Sequence, residues 1–181
     1  VTGPARFPNG TERRAAAEFR AAAAGRRLEG YAAVFGEAAK IGSFSETVLP
    51  GAFARSLSTG RDVLALVDHD PARLLGRTGS GTLRLAEDAR GLRFELDVPD
   101  TALGRDMLAL AERRDLGGMS FAFTVTRDRW PAHDRRELRE VDLIEVSVVQ
   151  AFPAYGGTVV AARSASLAGA RWRRRYLEAL A

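Results

Sequence analysis

Over residues 82–85 and again over 92–98 apolar and polar side chains alternate. Leu83 and Leu85 alternate with Thr82 and Arg84, and Leu92, Phe94, Leu96 and Val98 with Arg93, Glu95 and Asp97. A period of two with the turn "EDARG" at its centre predicts a β-hairpin. The period then lengthens. Asp100 or Thr101 can cap a helix whose apolar stripe is Leu103, Met107 and Leu110, and Gly117 and Gly118 end it. Alternation returns at 119, with Met119, Phe121, Phe123 and Val125 on one face of a strand and Ser120, Ala122, Thr124 and Thr126 on the other. "WPAHDRRELRE" reads as a polar excursion, after which "VDLIEVSVVQ" is the most apolar strand. Strict alternation there puts Ile144, Val146 and Val148 on one face and Val141, Leu143 and Val149 on the other, with Glu145 interrupting the second face.

Upstream, Val63, Leu64, Leu66 and Val67 form a near-continuous apolar run, the pattern of a strand buried on both faces, and "VLPGAFARSL" predicts a short helix from Pro50 to Gly60. In "ERRAAAEFRAAAAGRRLEGYAAVFG" alanine content favours a helix, whereas Gly25 and the alternation around it favour two short strands joined by a turn. A last helix at about 169–180 sets Trp172, Tyr176 and Leu180 against Arg171, Arg174 and Arg175. These elements predict one β-rich α+β domain with two or three helices and a barrel-like sheet. The expected boundaries are a disordered lead-in over 1–11, a domain over 12–163 and a basic tail over 164–181.

The 181 residues suffice for one domain with a sizeable core, and the absence of cysteine excludes disulfides, thiolate zinc sites and a cysteine nucleophile. No apolar run is long enough to span a bilayer, the first residues lack the apolar core of a secretory signal, and a reducing intracellular setting fits. The net charge of +4 comes largely from arginine, much of it in "ARWRRRYLEALA", while Lys40 is the sole lysine. That pattern is mainly a composition bias, because acidic residues are interspersed almost everywhere else.

Few residues carry chemistry. "VDHD" at 67–70 could offer a metal Asp68, His69 and Asp70, but three successive residues at a strand end converge poorly on one ion, and no metal is expected. "LGRTGSGTLRL" lacks the phosphate-loop spacing and precedes a strand, so it reads as a turn. No acid pair stands out for glycoside chemistry. Serine chemistry is the more specific option. A hydroxyl needs a base within hydrogen-bond reach, and the base needs an orienting group. His69, just past a buried strand, is the better base candidate, and His133 lies in a charged, solvated turn. Ser120 follows a double glycine, where backbone amides can approach a substrate oxygen. Glu145 inside an apolar strand needs a partner, and a histidine Nδ1–H would serve as well as an arginine. Residue types alone leave open whether Ser120 is a nucleophile or an ordinary strand serine.

Five ordered blocks go further. "EGYAAVFG", "VLPGAF", "DHDPARLLGRTGSGTLRLAEDARGLRFELDVPDT", "GMSFAF" and "LIEVSVVQAFPAY" resemble the prohead, or head maturation, proteases of tailed phages over about residues 27–163. The resemblance implies a serine endopeptidase with a herpesvirus-assemblin-like β-barrel ringed by helices. It implies His69 as base, Ser120 as nucleophile and Glu145 as third member, with no cofactor. Ala122 departs from the common "GMSFGF", and Arg77 in "LGRT" is, by analogy, a candidate for orienting an oxyanion water. The implied substrates are scaffold segments of the major capsid protein and the enzyme itself, cleaved inside an assembling procapsid in the bacterial cytoplasm. A homo-oligomer is expected and a membrane partner is not. The alternatives are a non-catalytic capsid assembly or scaffold protein of the same fold, and a basic nucleic-acid-binding module using the Arg-rich tail.

Overall fold

A computed structural model describes residues 10–16, 18–21 and 26–151. Most of the expected lead-in, all of the basic tail and the helix expected at 169–180 lie outside the described residues. Eleven strands run in chain order with two α-helices among the described residues. They are β1 (Thr11–Ala16), β2 (Glu18–Ala21), β3 (Arg27–Val34), β4 (Ala38–Ile41), β5 (Phe44–Val48), α1 (Ala54–Ser58), β6 (Leu64–Val67) and β7 (Asp70–Arg77). After a 3-10 turn at Thr78–Ser80 come β8 (Leu83–Glu87), β9 (Gly91–Asp97), α2 (Ala102–Arg113), β10 (Gly118–Ala132) and β11 (Arg135–Val149).

The strands form two sheets. One has the order β2-β3-β9-β8, and the other runs β1-β10-β11-β5-β4 with β6 and β7 added beside β11. The β-rich class and the peripheral helices agree with the sequence. A closed barrel is not seen among the described residues, because no strand ladder joins the two sheets. Their inner faces share one core instead. Leu28, Leu83, Leu92, Phe94 and Leu96 of the smaller sheet join Met119, Phe121, Phe123, Val146 and Val148 of the larger, with Met107 and Ala111 from α2. Phe53 is fully buried and meets Phe121 edge-on at 5.5 Å between ring centroids. α2 begins where expected, the hydroxyl of Thr101 (not Asp100) accepting from Gly104 N at 3.1 Å.

One open alternative is decided and two local expectations are corrected. In the alanine-rich N-terminal stretch Thr11–Ala16 and Glu18–Ala21 are extended, since β1 pairs with β10 and β2 with β3, and ladder hydrogen bonds outweigh a weak helix propensity. The polar excursion expected over "WPAHDRRELRE" is instead part of the sheet: β10 and β11 continue as an antiparallel arm to a turn at His133 and Asp134, where His133 is exposed as expected. The second correction concerns the faces of β11. Ala122 pairs with Glu145 but Phe123 pairs with Leu143, so Ile144 is the extra residue of a β-bulge. The bulge reverses the alternation. Val141, Leu143, Val146 and Val148 all reach the core, whereas Ile144 does not share their face.

β11 is the spine of the larger sheet. On the side away from β10 it pairs in parallel with β5 at 135–138 and with β6 at 145–148. The gap is filled by the α1 segment, where Val141 N donates to Ala52 O at 3.0 Å and Leu143 N to the Ser56 hydroxyl at 2.9 Å. These two bonds give buried amides of a central strand the partners they need.

The solvent face of the smaller sheet carries a ladder of Arg27, Arg84, Glu95 and Asp97. Hydrogen bonds from Arg84, then Arg27, lower the Asp97 carboxyl from 3.8 to about 2. A depressed carboxylate stabilises the fold above its unfolded value and loses that contribution as pH falls through the folded one. The Asp97→Asn variant should therefore lose the part of acid destabilisation that falls between pH 3.8 and about 2. Because the pair is half-exposed, the difference in thermal melts should correspond to only about 0.2–1 kcal/mol.

Candidate active site

Val67 pairs with Asp70, which leaves Asp68 and His69 as a two-residue hairpin loop between β6 and β7. Both have positive φ, 52° and 62°. This is the backbone of a type I′ turn, usually Asn-Gly, and Asp and His are among the side chains that tolerate it better than most. The turn is held in place by the end of β11. Asp68 N donates to Val148 O at 2.9 Å, and the Asp68 carboxylate accepts from Gln150 N at 2.9 Å and from Arg73 at 2.8 Å. His69 N donates to the Ser147 hydroxyl at 3.2 Å. Strain of this kind persists only where surrounding contacts fix it, and here it aims the imidazole at β11.

The imidazole meets Glu145, with Nδ1 hydrogen-bonded to Oε1. Glu145 is accessible to this ring because of the bulge at Ile144. Strict alternation from Leu143 would point the carboxylate into the core, and the extra residue turns it to the opposite face. Its second oxygen, Oε2, accepts from the Ser147 hydroxyl at 2.6 Å. A carboxylate only accepts, so the ring proton shared with it sits on Nδ1, and in the neutral imidazole the lone pair is then on Nε2. Nε2 is buried and has no hydrogen-bond partner among the described residues. A neutral imidazole with an oriented, unoccupied lone pair is the arrangement a general base needs.

Ser120 lies one strand away on the same face. It pairs directly with Ser147, and side chains of directly paired residues share a face about 5 Å apart. Ser120 is buried, and its hydroxyl donates to the Arg14 carbonyl of β1 at 2.7 Å. The structure thus brings His69 and Glu145 into contact and sets Ser120 beside them, with its hydroxyl turned toward β1. Gly117 and Gly118 shape the entry to this strand. A Cβ on Gly117 would lie 2.0 Å from Ala151 O, and Gly118 has φ 142°. Arg77, the candidate for orienting an oxyanion water, is hydrogen-bonded to Asp62 at 2.6 Å. No cluster of metal-ligating side chains occurs among the described residues.

Sequence reasoning missed Ser147, Arg73 and Gln150, and weighed Asp68 only as a metal ligand. Ser147 carried a usable signal, because a residue two positions from Glu145 on a strand shares its face. The Asp68 clamp had none, since it depends on a turn meeting the end of a strand 80 residues later.

The comparison with known families bears on this geometry. A family model, Peptidase_S78, caudovirus prohead serine protease, matches residues 13–171. The chain belongs to that family. It is a serine endopeptidase of the kind that matures phage capsids. Prohead proteases act inside the procapsid, and the family implies a capsid protein as substrate. No curated protein and no solved structure matches the chain. No helix among the described residues is long and apolar enough to cross a membrane.

Proposed function

We propose that Ser120, His69 and Glu145 are the nucleophile, base and orienting acid of this prohead protease. The observation that carries the reading is the His69–Glu145 pair, whose free Nε2 lies on the sheet face that bears Ser120. In the reaction the Ser120 hydroxyl leaves the Arg14 carbonyl by a change of χ1, a step between staggered wells that moves it toward β11. His69 Nε2 takes the proton as Oγ attacks the peptide carbonyl, and backbone amides beside the serine stabilise the oxyanion. The protonated imidazole then hands its proton to the leaving amine. Water attacks the acyl-enzyme with Nε2 again as base, which releases the acid product and restores Ser120. Glu145 holds the ring tautomer and balances its positive charge throughout.

The substrates in this reading are scaffold segments of the major capsid protein and the protease's own termini, cut within the procapsid in the bacterial cytoplasm by a homo-oligomer. The catalytic domain spans 12–163 with a barrel-like closure, and 164–181 is a removable basic tail. Co-expression with the neighbouring capsid gene product, with Ser120→Ala as control, tests this by mass mapping of new termini. Expected are new capsid-protein and protease termini that vanish in the control. Cleavage that persists in the control would overturn the reading.

A further inference from the structure

The buried hydroxyl of Ser147 has two partners, and both belong to the proposed catalytic machinery. It is fully buried on β11, opposite Ser120. Its single O–H donates to Glu145 Oε2 at 2.6 Å, and its oxygen accepts from the backbone N–H of His69 at 3.2 Å. One hydroxyl therefore fixes the carboxylate that aligns the imidazole and also the strained turn that carries it, where His69 has φ 62°. We infer that Ser147 is a positioning residue that acts on catalysis through Glu145 and His69, an inference that rests on the assignment of those two residues above. The two contacts act together. Without the donor, Glu145 can rotate about its side chain and carry Nδ1 with it. Without the acceptor, the His69 amide loses its partner in a turn that few residues adopt unaided. Misplacement of a reacting group by about 1 Å costs roughly 10²-fold in rate.

The test is a cycle of full-chain variants assayed on a capsid-protein-derived peptide. Ser147→Ala should lower kcat by about 10- to 100-fold with KM changed less than about two-fold, and Ser147→Thr, which restores the hydroxyl, should recover most of it. In a Glu145→Gln background the same Ser147→Ala change should have less than about a third of its effect on a logarithmic scale, because the group it aligns is already altered. In the Ser120→Ala protein, the low-field proton NMR signal of His69 Nδ1–H should broaden or vanish on adding Ser147→Ala. Equal losses of kcat in both backgrounds, or an unchanged Nδ1–H signal, would assign Ser147 a packing role and overturn the inference. Where Ser147→Ala fails to fold, Ser147→Cys, which keeps the volume with a far weaker donor, is read by the same criteria. The two ideas fail separately: full activity in His69→Ala removes the triad, whereas full activity in Ser147→Ala with inactive His69→Ala removes only this inference.

Discussion

Ser120→Ala and His69→Ala will each lower kcat for peptide cleavage by about 10⁴ to 10⁶, with thermal unfolding within a few degrees of the parent. The size follows from the roles proposed for them. Without Oγ there is no acyl-enzyme, and without Nε2 a hydroxyl at its free pKa is a very weak nucleophile. Glu145→Gln should cost about 10⁴, since an amide no longer fixes the proton on Nδ1. The double variant Ser120→Ala with His69→Ala should be no worse than either single change, because the two groups act as one unit. Steady-state cleavage of a labelled capsid-derived peptide, with circular dichroism to establish folding, measures all four. The fold should tolerate Ser120→Ala because the lost hydroxyl bond, 2.7 Å to Arg14 O, is a single neutral contact. An independent 10²-fold loss from each residue, multiplying in the double variant, would contradict a concerted site.

The reach of the sequence in this region follows the range of the interactions. The hairpin at 83–97, the Thr101 cap and the two faces of 119–125 are local patterns, and all are present in the structure. Alternation also singled out Glu145 as a carboxylate interrupting an apolar face, whereas Ser120 and His69 stood out by their places after a double glycine and just past a buried strand. It misplaced Glu145, however. Alternation carried through "VDLIEVSVV" sets that carboxylate on the face of Leu143, which is the core face, yet it hydrogen-bonds the imidazole on the other side. A bulge is a property of two strands out of step by one residue, and β11 alone carries no sign of where β10 slips. The same limit hid the arm at 127–140, whose charged residues read as a loop until each strand is seen to supply the other's ladder. It also hid the role of the N-terminal "TERR". The side chains of Glu12 and Arg14 lie inside the protein, although nothing in their own stretch announces partners at 46 and 136.

Those four residues give the second large effect, on stability. Glu12, Arg14, Glu46 and Arg136 are all buried and connect three strands beside β10 and its neighbours. Arg14 bridges Glu46 and Glu12, and Arg136 donates to Glu12 at 2.8 Å and Glu46 at 3.0 Å, with Asp128 at 2.7 Å on its outer side. Burial works against the Arg136 charge, but the hydrogen bonds it donates to Glu12 and Asp128 outweigh it and raise its pKa above the ordinary arginine value. Removing one member strands the opposite charge in a dry site. Arg136→Met should therefore destabilise the fold by about 3–5 kcal/mol, a fall in Tm of roughly 6–20 °C for a domain of this size. Glu46→Ala should do the same, because both arginines then lose a carboxylate. Replacing all four by apolar residues of similar volume should cost far less than the sum of the single changes, since the desolvation of four charges disappears with their attraction. Urea titrations of the three variants measure this directly. The quartet also holds β1 in register on β10, where the Arg14 carbonyl receives the Ser120 hydroxyl. Single variants should accordingly lose cleavage activity at temperatures below their global unfolding, as the strand beside Ser120 detaches first. Activity that survives unchanged up to the melting transition of Arg136→Met would show that β1 has no part in holding the site.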